Sequence, residues 1–130
     1  MIDKFEVTHI ILTGVAGALN KEFKIGDIVI SSEVAYHDVA CGILTKYHPW
    51  MEDIYFRPDR KLLELCQDTA KSLLITGKCY IGRIITGEIF ITHNERENLI
   101  QQFNPLCVDM ESASVAHTCT ILGFMPGQCK

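Results

Sequence analysis

Short apolar runs that each stop at a small or acidic residue constrain this chain most. Val7-Thr8-His9-Ile10-Ile11-Leu12-Thr13 ends at Gly14 and a small-residue turn, Gly14-Val15-Ala16-Gly17-Ala18. Ile28-Val29-Ile30 follows the turn Lys24-Ile25-Gly26-Asp27 and runs toward Tyr36. Lys78 to Ile85, interrupted by Gly82, and Leu106-Cys107-Val108-Asp109-Met110 complete the set. Apolar, β-branched runs of this length, bounded by turn residues, predict buried strands. Helical segments lie between and after them. Pro58 or Asp59 opens one, with Leu62, Leu63, Leu65, Cys66, Thr69, Ala70, Leu73 and Leu74 as its apolar stripe. Asn94 reads as the N-cap of another, from Glu95 to Phe103, which Pro105 stops. Ser112 to Leu122 reads as a third, closed by Gly123 and Pro126. Strands alternating with helices predict an α/β architecture. Residues 37–56 show no periodicity and predict a long irregular segment, of a kind that is usually functional in compact domains.

Composition narrows the class. A chain of 130 residues that is 48% hydrophobic can bury a real core and is too apolar for disorder. A net charge of −4 argues against nucleic acid or an anionic membrane as the partner. No apolar run approaches the ~18 residues of a membrane span, and the N-terminal residues lack the features of a signal peptide. The expectation is a cytoplasmic protein. The six cysteines (41, 66, 79, 107, 119 and 129) stand singly, without metal-ligand spacing, and read as small core fillers. An α/β sheet normally has more strands than these, with neighbours on both sides of its central strand. The chain therefore reads as the middle of a larger domain.

Ligands of open α/β sheets sit beyond the carboxyl ends of the strands, which directs attention to three loops. In Thr13-Gly14-Val15-Ala16-Gly17-Ala18, small residues allow close backbone approach to a ligand, although a plain turn needs the same residues. In Thr86-Gly87-Glu88-Ile89-Phe90-Ile91, the aromatic ring either stacks on a base or belongs to the core. In Val108-Asp109-Met110-Glu111-Ser112-Ala113, two carboxylates flank a methionine where a strand becomes a helix. Either Glu111 accepts hydrogen bonds from a vicinal diol, or Glu111 or Ser112 simply caps the first turn of the helix.

Taken together, the glycine turn, Lys24-Ile25-Gly26-Asp27-Ile28-Val29, Tyr36-His37-Asp38, Gly82 through Ile91 and Val108-Asp109-Met110-Glu111 resemble the 5′-methylthioadenosine/S-adenosylhomocysteine nucleosidases, within the purine nucleoside phosphorylase superfamily. The resemblance runs from about Val7 to about Pro126, and Val108 to Ala113 is its most specific part. It implies a three-layer phosphorylase/hydrolase-like fold, a central mixed sheet flanked by helices, incomplete at both ends. Residues 1–130 would form a single partial domain. It also implies that Phe90 stacks on adenine while the Ile91 backbone reads its edge. Met110 would pack under the sugar, Glu111 would grip the ribose hydroxyls, Asp109 would be a further substrate-binding residue, and Val15 and Ala16 would lie near the ribose and the attacking water. The implied reaction is hydrolysis of the N-glycosidic bond of an adenine nucleoside, through an oxocarbenium-like transition state, with no metal or organic cofactor. The acid at the purine and the carboxylate that activates water would both lie outside these residues. The isolated chain would then be nearly inactive, since each such group is worth ~10²–10⁴-fold.

The implied assembly is a homodimer whose neighbour lends an apolar wall, with Leu44, Tyr47, Pro49 or Trp50 as candidates. Two departures stand out: Val15 where nucleosidases often carry serine, and Val39-Ala40-Cys41 where polar residues usually follow Asp38. A phosphorylase would want cations at the glycine turn, and Lys21 and Lys24 lie beyond it. The third reading is a non-catalytic nucleoside-binding or dimerising remnant. His37, beside Asp38, reads as a structural or interface hydrogen-bonding residue rather than an oriented base, and His93 and His117 have no spaced partner.

Overall fold

The computed structural model describes residues 4–40, 42–72 and 77–123, apart from the side chain of His93. Among the described residues, four strands form one mixed sheet: β1 (Gly17–Ala18), β2 (Ile28–Tyr36), β3 (Cys79–Thr86) and β4 (Cys107–Asp109). Their order is β1-β4-β3-β2, with β3 parallel to both β2 and β4, and β1 antiparallel to β4. The helices are α1 (Ile43–Tyr47), α2 (Arg60–Ser72), α3 (His93–Phe103) and α4 (Ser112–Ile121).

Strand β3 carries the core on both faces, because successive side chains of a strand point opposite ways. Ile84 packs with Val34, Phe56, Cys107 and Ala113, while Ile85 packs with Leu19 and Phe103. Gly82 permits a close approach: a Cβ there would lie 2.5 Å from Leu106 Cδ1. Opposite it, β2 bulges at Ser32, since Ser31 pairs with Gly82 and Glu33 with Arg83. Arg83 uses this register. It donates to Glu33 Oε1 from Nε at 3.0 Å and from Nη2 at 2.5 Å, and to the Phe103 carbonyl, while its guanidinium lies 4.1 Å from the centre of the Tyr55 ring.

The helices follow local signals. Asp59 accepts a hydrogen bond from Leu62 N at 3.0 Å and starts α2. Leu62, Leu63, Cys66 and Ala70 of its stripe are half-buried, whereas Leu65 is 61% exposed. Leu73 and Leu74 lie outside the described residues. For α3 the N-cap is Thr92, not Asn94: Glu95 Oε2 accepts from Thr92 N at 2.9 Å and from Thr92 Oγ1 at 2.7 Å. The reason is the Thr-x-x-Glu spacing, which satisfies free backbone groups at a helix start. Asn104 ends α3 in the left-handed region, φ 46°. Gly123, at φ 82°, follows α4, and Pro126 lies outside the described residues.

Three expectations need correction. Val7–Thr13 is not a strand: residues 7–16 carry no regular structure, and Ile11 and Leu12 are 67% and 46% exposed. β-branched residues become a strand only where a neighbour supplies ladder partners, and among the described residues β4 is met on that edge by Gly17–Ala18 alone. Residues 37–56 are not wholly irregular, because α1 forms within them and Phe56 bridges back to Val34. The cysteines are not uniformly core fillers. Cys107 is buried, Cys66 and Cys119 are half-buried, and Cys79 is exposed; Cys41 and Cys129 lie outside the described residues. Burial, then the Asp109 charge, pushes the Cys107 thiol up to about 12, which leaves it inert.

A histidine pair fastens the long connection to α4. His48 Nε2 and His117 Nε2 lie 2.9 Å apart, and the His117 ring stacks on Phe56 at 5.2 Å. Burial, then the neighbouring His48, holds His117 below its ordinary pKa. Such a histidine binds fewer protons folded than unfolded. Its stability contribution is therefore complete above the unfolded pKa and lost as pH falls through the folded one. Urea midpoints should drop as pH is lowered through about 6.5, and His117→Gln should flatten that drop. Ile85→Ala should cost about 2–5 kcal/mol in the same assay, because Ile85 is fully buried. Leu65→Ala should stay within about 0.5 kcal/mol.

Candidate functional site

The carboxyl ends of β2, β3 and β4 and the N-terminus of α4 meet around one carboxylate. Asp109, the last residue of β4, accepts a hydrogen bond from Thr86 Oγ1 at 2.6 Å. It also accepts from Ser112 N, at 3.3 and 3.2 Å to its two oxygens, and from Ser112 Oγ. Thr86, the last residue of β3, is 1% exposed, and its hydroxyl accepts from Ala113 N at 3.0 Å. Gly87 N donates to the Asp109 carbonyl at 3.2 Å. Thus the first free amides of α4 are satisfied by Asp109 and Thr86. Glu111 sits at the N-cap position, yet its side chain makes no capping hydrogen bond and is exposed.

The loop after β3 is anchored from the end of β2. His37 N donates to the Thr86 carbonyl at 3.0 Å, and Glu88 N donates to Asp38 Oδ2 at 2.7 Å. The His37 ring packs directly over Gly87, where any Cβ would collide with Nε2. His37 is therefore packed into the support of the loop through its backbone and its ring contact with Gly87, while the hydrogen bond expected of its side chain is not found at Nε2 among the described residues. The ring nitrogen Nε2 is buried and unpartnered among the described residues.

Two open clefts flank this anchor. One, of about 340 Å³, is lined by Tyr36, Asp38, Val39, Thr86, Gly87, Glu88, Met110 and Ser114. The other, of about 290 Å³, is lined by Gly17, Ala18, Leu19, Phe90, Ile91, Thr92, Arg96 and Val108. Arg96 is its cation, and the guanidinium is already engaged, donating to the Leu19 carbonyl from Nη2 at 2.7 Å and from Nε at 3.2 Å.

The seven residues singled out from the sequence are therefore spread over this region. Phe90 and Ile91 line the second cleft and Met110 the first. Asp109 lies half-buried at the anchor between the strands, its carboxylate spent on Thr86 and Ser112. Val15, Ala16 and Glu111 are exposed and line neither cleft. Phe90 is 91% exposed, so the core reading of that ring does not hold. Sequence reasoning passed over Thr86, Arg96 and Ser114. Only Thr86 carried a signal, as a polar residue ending an apolar strand run.

No helix among the described residues is long and apolar enough to cross a membrane. No group of three or more metal-ligating side chains is present among them either.

Comparison with known proteins places this arrangement in a wider group. A 5′-methylthioadenosine/S-adenosylhomocysteine nucleosidase of Exiguobacterium is 37% identical over 128 residues, which are 95% of this chain and 54% of that protein. An aminodeoxyfutalosine nucleosidase of Campylobacter jejuni is 38% identical over 126 residues, 94% of this chain and 54% of that protein. Among solved structures, the nucleosidase of Colwellia psychrerythraea in complex with adenine superimposes with a TM-score of 0.80 at 33% identity, over 96% of this chain and 53% of that one. The chain spans about half the length of the curated relatives it matches. The model of the phosphorylase superfamily matches residues 1–128. With that match, and with the mixed sheet and flanking helices that the solved nucleosidases share, the chain belongs to the phosphorylase superfamily.

Proposed function

We propose that these residues form the nucleoside-binding part of an N-glycosidic hydrolase that releases adenine from 5′-methylthioadenosine or S-adenosylhomocysteine. The observation that carries this reading is the pairing of an almost fully exposed aromatic ring, Phe90, with a cleft walled by Gly17, Ala18, Ile91 and Val108. A flat apolar ring left in water over small residues suits a planar heteroaromatic ligand. The likeness to nucleosidases at 33–38% identity, one of them crystallised with adenine, supports the choice of base.

In this reading Phe90 stacks on adenine, the Ile91 backbone reads its edge and Met110 packs under the sugar. Glu111 takes the ribose hydroxyls, and Val15 and Ala16 face the ribose and the attacking water. The unspent carboxylate of Glu111 lies where the helix dipole favours negative charge. It supplies the electrostatic partner that a cationic sugar transition state needs. The acid and the water-activating carboxylate belong to parts of the fold beyond these residues, no cofactor is required, and the setting is cytoplasmic. A homodimer is part of the same proposal, supported by the exposed Val39, Ile43, Tyr47 and Trp50 around the long connection.

Binding is the direct test of these residues. In calorimetric titration with 5′-methylthioadenosine, Phe90→Ala should weaken affinity by about 5–150-fold, the usual worth of a stacked base. Glu111→Ala should cost about ten-fold or more, the worth of hydrogen bonds to a charged acceptor. Unchanged affinity in both variants would remove the assignment. Adenine release by a version that also carries the acid and the water-activating carboxylate, measured with and without phosphate, separates hydrolysis, which is indifferent to phosphate, from phosphorolysis, which requires it.

A further inference from the structure

We propose that Thr86 is a positioning residue for the ribose-binding carboxylate, acting through Asp109; this rests on the reading of Glu111 as the ribose ligand. Met110 and Glu111 are a two-residue span whose ends are held by one carboxylate. At one end stands Asp109 itself; at the other, Ser112 donates its amide and hydroxyl to that carboxylate. Beyond these local bonds, the Thr86 hydroxyl ties the carboxylate to β3, donating to Oδ1 at 2.6 Å while accepting from Ala113 N at 3.0 Å. Thr86 is 1% exposed and sits at the end of the strand with two ladder neighbours, so its hydroxyl is a fixed point. Its β-branched side chain also restricts χ1.

The chain of contacts runs from the core of the sheet through Thr86 and Asp109 to the turn that presents Glu111. Hydrogen bonds of this kind to a charged acceptor are the strong ones, and a preorganised ligand group loses less entropy on binding. Asp109 accordingly serves as a strut under the site. Its oxygens are occupied by Thr86 and Ser112, and the ribose falls to Glu111, whose side chain makes no capping bond.

The test compares calorimetric affinities for 5′-methylthioadenosine and for free adenine, which has no ribose. Thr86→Val should weaken the nucleoside about ten-fold while leaving adenine unchanged, and Thr86→Ser should restore the nucleoside to within about two-fold of wild type. Glu111→Gln is the control for the underlying reading and should lower nucleoside affinity alone. If Glu111→Gln behaves so while Thr86→Val keeps wild-type nucleoside affinity, or loses adenine equally, the positioning role is overturned and the ribose assignment stands. If Glu111→Gln leaves the nucleoside unaffected, the ribose assignment fails and the proposal with it. Should Thr86→Val not fold, Ser112→Ala removes one arm of the clasp at a half-buried side chain. A selective loss of nucleoside affinity there supports the proposal, and wild-type affinity overturns it.

Discussion

Parallel pairing of β3 with two neighbours is the constraint on which the other features depend. A strand with ladders on both edges is held laterally, and its alternating side chains, Ile84 and Ile85, are buried in separate clusters on opposite faces. Its carboxyl end is therefore a laterally held point from which a loop can be hung. Thr86 occupies that point, the Gly87–Ile91 loop leaves from it, and α4 begins against it. The candidate site is thus an extension of the sheet's own hydrogen bonding.

Polar groups near this end of the sheet form two clusters. Arg83 joins Glu33, the Phe103 carbonyl and the Tyr55 ring, which ties β2, β3 and the end of α3 together. Such a half-buried cation is tolerable because its donors find acceptors. Asp109, the buried Thr86 and Ser112 do the same for β4, β3 and α4. Glycine allows close packing beside each, since Gly82 admits Leu106 and Gly87 admits the His37 ring.

What was legible in the sequence follows from the range of the interactions. Helices α2, α3 and α4 could be read because spacing, caps and breakers act within a few residues: Asp59 starts one, and Pro105 stops another. The capping residue of α3 was misplaced by two positions because Asn94 is a good cap in general, while the Thr92–Glu95 pair is the better one here. Val7–Thr13 reads as a strand by composition and is none, because a strand is made by its partner. Phe90 resembles a core residue by type, yet it is almost fully exposed. His117 looked isolated until the fold brought His48 against it.

By itself, the order of residues determined the α/β alternation, the positions of α2, α3 and α4, and the two loops that follow β3 and β4. It also carried the resemblance of Val108 to Ala113 to the nucleosidases. These depend on local periodicity, turn chemistry and residue identity. Only the tertiary structure decided which strand is central, where Arg83 finds its acceptors, and that the Asp109 carboxylate is turned inward toward Thr86 while that of Glu111 is left exposed. Those outcomes depend on groups far apart in the chain meeting at fixed distances, and no local pattern encodes a hydrogen bond between the ends of two strands.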